Sequence, residues 1–113
     1  MYDLCIIGFG ISGICSARNA SKKNLNFIVL ESNKSFGGCW YDKAFNWTKL
    51  QTHKKFYQFP DLPMNPSVSD YPTREDLLSY FNNYIIKFNL DKHVRYNHFV
   101  IKTKYNKNYW NII

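Results

Sequence analysis

Three glycines fall in the run Gly8-Phe9-Gly10-Ile11-Ser12-Gly13, and a carboxylate, Glu31, stands at the end of the next apolar run. Between a strand and a helix, that spacing is chemistry for a pyrophosphate. Gly8 permits the tight turn, Gly10 lets phosphate approach the backbone, and Gly13 removes a side chain where helix and strand touch. The first amides of the helix, at Ile11 and Ser12, are then free to bind phosphate oxygens. Glu31, with Ser32 beside it, is placed to accept hydrogen bonds from ribose hydroxyls. The implied ligand is an adenine dinucleotide whose ribose carries no phosphate, which excludes NADP at this position. FAD and NAD share the fingerprint, so the glycines do not choose between them.

The other reactive side chains point nowhere so specific. Cys5, Cys15 and Cys39 are odd in number and widely spaced, with no Cys-x-x-Cys pair. Neither a disulfide framework nor a zinc site is expected, and a reducing, cytoplasmic compartment fits this usage. Cys39 has no nearby partner cysteine and reads as an inert small residue. His53, His93 and His98 lack ligand-like spacing, so they are expected at the surface and no metal is expected.

The elements that must position the fingerprint are legible from period and punctuation. Leu4-Cys5-Ile6-Ile7 is a short apolar run stopped by Gly8, as in a buried parallel strand. From Ser12 to Lys23, Gly13, Ile14, Ala17 and Ala20 recur at helical spacing, and Asn24 supplies the stop. Phe27 to Leu30 is a second buried strand, parallel to the first by way of the crossover helix. Residues 32 to 72 carry Gly37-Gly38 and four prolines. They read as an ordered loop region anchored by Trp40, Tyr41, Phe45, Trp47, Phe56, Tyr57 and Phe59. Thr73 with Asp76 forms a capping box for a second helix, whose stripe is Leu77, Leu78, Phe81, Ile85 and Phe88 and whose stop is Asn89. Val94 to Tyr96 is expected as a third parallel strand. Phe99 to Lys104 and Tyr109 to Ile113 are expected as a hairpin around Asn106-Lys107-Asn108, with one face buried and one wet. The fold class is α/β: a Rossmann-like βαβ unit with a parallel sheet, an irregular aromatic loop region, a second helix and a C-terminal hairpin.

The chain of 113 residues can hold one small core, being 45% hydrophobic and 19% aromatic. No apolar run approaches the ~20 residues a membrane span needs, and Asp3 stands where a secretory signal would carry a base. The net charge of +7 attracts phosphate, but the lysines are scattered as pairs and singles. No basic block or nucleic-acid module is present, so no nucleic-acid partner is expected.

Phe36-Gly37-Gly38-Cys39-Trp40 resembles the Gly-Gly-x-Trp loop of flavin-dependent monooxygenases, the group of flavin-containing monooxygenases and their Baeyer–Villiger relatives. In that family the loop follows the ribose-binding Glu and wraps FAD, and related flavoprotein oxidases usually carry Arg where Trp40 stands. Leu50-Gln51-Thr52, Phe59-Pro60-Asp61-Leu62-Pro63, Tyr71-Pro72-Thr73 and Tyr109-Trp110-Asn111-Ile112 resemble successive later landmarks, so the resemblance covers essentially the whole chain.

The resemblance implies that residues 1–113 are the N-terminal part of a single FAD/NAD(P)-binding domain, with no NADPH-binding domain. It implies FAD as cofactor, NADPH as the reductant of a full-length enzyme, and a small-molecule soft nucleophile, an amine or sulfide, as substrate. Gly38 and Trp40 are implied next to the cofactor. Gln51 stands where members have Asn or Gln near the flavin ring, and it is the one catalytic candidate. The chain alone is expected to be inactive. Leu4 to Ile7 is expected to be a central strand missing a later neighbour, an edge that favours self-association. The competing reading is a stand-alone nucleotide-binding or interaction module without oxygenase activity.

Overall fold

The computed structural model describes all 113 residues. Strand β1 (Leu4–Ile7) runs into helix α1 (Ile11–Lys22), and β2 (Phe27–Leu30) returns parallel to β1, with Leu4 opposite Phe27 and Ile7 opposite Leu30. A one-turn helix α2 (Cys39–Asp42) is the only α-helical piece between β2 and α3 (Arg74–Lys87). Then β3 (Val94–Arg95) adds to β2 in parallel, giving the sheet order β1-β2-β3. The chain closes with an antiparallel hairpin, β4 (Thr103–Asn106) and β5 (Tyr109–Ile112).

Each helix ends where its sequence says it should. Asn24 and Asn89 take left-handed backbone, with φ of 54° and 51°, and stop α1 and α3. At the start of α3 the Thr73 hydroxyl accepts from the Asp76 amide at 3.1 Å while the Asp76 carboxylate accepts from the Thr73 amide at 3.0 Å. The buried face of α3 is Leu77, Tyr80, Phe81, Tyr84 and Ile85. Leu78 and Phe88 are only half-buried, because the two tyrosines take the central positions and find polar partners for their hydroxyls.

One core lies between the sheet and the two long helices, built on Phe9, Ile14, Ala17, Val29, Leu77, Phe81 and Leu90. Tyr80 and Tyr84 fasten the irregular region to it. Phe59 stacks on Tyr84 with centroids 3.9 Å apart, and its amide donates to the Tyr80 hydroxyl at 2.6 Å. Asp61 accepts from Tyr84 at 2.7 Å and from Arg18 at 2.9 Å, so one carboxylate joins the loop to both helices.

Three expectations are corrected here. Phe45, Trp47 and Phe56 do not anchor the loop region: they are 62%, 76% and 77% exposed, and Phe45 and Trp47 stack on each other instead. The hairpin has no buried face, since every residue of β4 and β5 except Ile112 is exposed and Ile101 is 75% exposed. Alternation shows that a strand could bury one side, and only a covering layer makes it do so. His93 is half-buried rather than superficial, stacked on Phe27 at 4.0 Å.

Candidate nucleotide-binding site

The turn from β1 to α1 is shaped by its glycines in two different ways. Gly8 has φ of 98°, a backbone that L side chains rarely adopt. Gly13 is a matter of space: a Cβ there would lie 2.0 Å from the Gly8 carbonyl oxygen. The helix therefore starts hard against the strand end. The amides of Ile11, Ser12 and Gly13 have no hydrogen-bond partner in the protein, the first bond of the helix being Ile14 N–H to the Gly10 carbonyl at 2.9 Å.

Gly10 faces the second glycine pair across the turn. A Cβ on Gly10 would meet the Gly38 Cα at 3.3 Å, and one on Gly38 would meet the Gly10 Cα at 3.0 Å. The Gly37 amide donates to the Phe9 carbonyl at 3.0 Å. Between these two backbones opens a groove of about 270 Å³. One side is Gly8, Gly10, Ile11, Ser12 and Gly13, and the other is Gly37, Cys39 and Trp40. No lysine or arginine lines it. A phosphate there would be met by backbone donors and the positive end of α1. The Trp40 ring is buried, and its indole N–H donates to the Tyr57 hydroxyl at 3.1 Å.

Glu31 follows β2 and is the one buried charged residue, 4% exposed. Its Oε1 accepts from the Phe9 amide at 2.8 Å, and its Oε2 accepts from the Asn33 amide at 2.7 Å and the Ser32 hydroxyl at 3.3 Å. The carboxylate thus ties the fingerprint turn to the end of β2, and Oε1, which accepts one bond, keeps acceptor capacity for one more donor. Tyr96, close by, keeps its proton: burial, the Asp91 carboxylate that accepts its hydroxyl at 2.8 Å, and the charge of Glu31 all push its pKa up.

The structure brings Gly8, Gly10, Ile11, Ser12, Gly13 and Trp40 together around one groove, with Glu31 bonded to its turn and Ser32 bonded to Glu31; Gly38 does not line the groove but packs against Gly10. Gln51 is exposed and is not among the lining residues. Sequence reading passed over Gly37 and Cys39 as parts of the wall. The Gly-Gly pair was signal enough for Gly37, but the lining by Cys39 follows from the one-turn helix. Among the residues described, no cluster of three or more His, Cys, Asp or Glu could hold a metal, and no helix is long and apolar enough to cross a membrane.

Comparison with known proteins agrees with this geometry. Residues 6–81 match the NAD(P)-binding Rossmann-like domain family. Among curated proteins, the chain is 29% identical over 104 residues to a probable indole-3-pyruvate monooxygenase, YUCCA7, of Arabidopsis thaliana, covering 92% of this chain and 24% of that protein. It is 33% identical over 103 residues to a putative flavin-containing monooxygenase 2 of the same plant, covering 90% and 22%. Among solved structures, an oxidized steroid monooxygenase bound to NADP superposes with a TM-score of 0.90 over 98% of this chain and 22% of that one, at 21% identity, a likeness of fold. A flavin monooxygenase from Stenotrophomonas maltophilia superposes with a TM-score of 0.85 over 99% and 33%, at 26% identity. The chain spans about a quarter or less of the length of these curated relatives. With its glycine turn, its Glu31 and this match over two thirds of its length, the chain belongs to the NAD(P)-binding Rossmann-like domain family, where it is homologous to the flavin-containing monooxygenases.

Proposed function

We propose that this chain is the FAD-binding portion of a flavin-dependent monooxygenase that, at full length, uses NADPH and molecular oxygen to oxygenate a soft nucleophile such as an amine or sulfide. One observation carries the reading: two glycine-bearing turns, Gly8–Gly13 and Gly37–Gly38, close on a groove into which unpaired helix amides open, with Glu31 bonded to the turn. The residues fit a dinucleotide. The amides of Ile11, Ser12 and Gly13 would hold the pyrophosphate, Glu31 would accept a ribose hydroxyl, and Gly37 and Trp40 would wall the groove, with Gly38 packed on Gly10 behind it.

When bound, FAD supplies the redox and oxygen chemistry. The chain's own part is to bind and orient, and the buried Trp40 ring helps to keep water from that side of the groove. No residue here is assigned a proton transfer. Gln51 stays a candidate for contact with the flavin ring in the complete enzyme.

The test is a visible spectrum of protein incubated with FAD and then desalted, beside Gly10→Val, whose side chain would fill the space between Gly10 and Gly38. Retained flavin in the unmodified protein, lost in the variant, is the expected result. A folded, colourless protein would favour the nucleotide-free interaction module instead.

A further inference from the structure

Arg74 takes part in no salt bridge. Its guanidinium instead donates twice to backbone: Nε to the Trp40 carbonyl and Nη2 to the Tyr41 carbonyl, each at 2.7 Å. Those carbonyls belong to α2, a helix of four residues too short to stand alone and with terminal acceptors unmet within itself. Arg74 itself is the first residue of α3, fixed by the Thr73–Asp76 capping box and by Leu77 and Phe81 in the core. Its own amide donates to the Thr48 carbonyl at 3.0 Å, closing the far end of the same loop on α3.

We propose that Arg74 is a positioning residue of the dinucleotide groove: by binding both carbonyls it holds the 37–42 turn, with Gly38 against Gly10, so that Gly37 and Trp40 stand as the wall of the groove that would take the pyrophosphate. The proposal rests on the FAD reading above. The turn is gripped from three sides. Phe9 and Gly10 hold Gly37 and Gly38 on one, Tyr57 holds the Trp40 indole on another, and Arg74 holds the backbone between them. Of these grips only Arg74 ties the backbone of the wall to a core helix through hydrogen bonds. Two acceptors one residue apart suit the planar fork of arginine, whereas the point charge of a lysine would hold one of them well.

The experiment has two arms on the full chain and on the variants Arg74→Met, Arg74→Lys and Arg74→Ala. Hydrogen exchange without ligand reads the turn directly. Arg74→Met should speed exchange of the amides of residues 40–44 by about tenfold or more, the effect of losing two charge-assisted hydrogen bonds. The amides of β1, β2 and α1 should stay as they were. Flavin fluorescence titration then reads the groove: FAD affinity should fall about tenfold in Arg74→Met, fall less in Arg74→Lys, and recover in Arg74→Ala when ethylguanidinium is added. Unchanged exchange at 40–44 would overturn the grip itself, whatever FAD does. Faster exchange with unchanged FAD affinity would overturn its link to the groove. If the unmodified protein binds no FAD, the functional reading falls and takes that link with it, while the exchange arm still judges the grip.

Discussion

A Cβ at residue 13 has nowhere to go, because what it would strike is the Gly8 carbonyl at 2.0 Å and the Gly8 carbonyl carbon at 2.8 Å, both backbone. Gly13→Ala should therefore lose about 2–3 kcal/mol of stability, the cost of overpacking a rigid contact, seen as a lower urea midpoint with an unchanged slope. Gly8→Ala meets no neighbour within 4 Å and should cost only the strain of its positive φ, about 1–2 kcal/mol. The reverse ranking would mean that the turn is built differently. Glu31→Gln presents an NH₂ group to one of two amide donors, and should lose about 1–3 kcal/mol through that unsatisfied pair. The fingerprint was legible because its requirements are local: a positive φ and a helix start against a strand end. What Gly10 does against Gly38, and what Arg74 does for Trp40, was not. Those contacts join residues 28 and 34 positions apart, and no local spacing encodes them.

At the scale of elements, α3 carries the irregular region on Tyr80, Tyr84 and the Thr73 cap. Thr73→Ala should cost about 1 kcal/mol by freeing the Asp76 amide, measurable by thermal or urea unfolding. Acid should act through Asp61. Burial raises its pKa, but the hydrogen bonds from Arg18 and Tyr84, with the charge of Lys22, outweigh burial and leave it below the ordinary carboxylate value. A carboxylate depressed in the folded state stabilises above its unfolded pKa, so stability should fall as pH drops below about 4. Asp61→Asn should be less stable at neutral pH and flatter through that window; an acid limb unchanged in the variant would remove Asp61 from the cause. His93 adds an earlier limb of the same sign. Burial against Phe27 and the charge of Lys92 lower its pKa, so stability present above about pH 6.5 declines as the ring is forced to take a proton. The helices were legible from their period and caps, and the hairpin from its turn residues. The hairpin's burial was not, because a two-stranded pattern does not say whether a covering layer exists.

The whole molecule is longer than its residue count calls for. Its radius of gyration is 15.2 Å, against about 13 Å for a compact domain of this size, and its longest extent is 48 Å. The exposed hairpin accounts for that shape, with Tyr105 and Trp110 packed mainly on each other. The sheet order β1-β2-β3 is one half of a doubly wound sheet, in which β1 would have a further neighbour on its free side. Here that side is an unpaired edge carrying Leu4 and Ile7, 37% and 56% exposed. Such an edge templates pairing. Sedimentation should show mass rising with concentration, and Leu4→Lys should suppress the rise; a monomer at every concentration would contradict the expectation.

The proposed function requires that the glycine turn and Glu31 together recognise the adenosine pyrophosphate half of FAD. Its most direct test is a pair of fluorescence titrations, FAD and FMN, on the unmodified protein and on Glu31→Gln. FMN has the flavin and one phosphate but neither the adenosine nor its ribose. FAD should bind at least about tenfold more tightly than FMN, and Glu31→Gln should remove most of the difference. Equal affinity for the two flavins, or a preference that survives the loss of the Glu31 carboxylate, would contradict it.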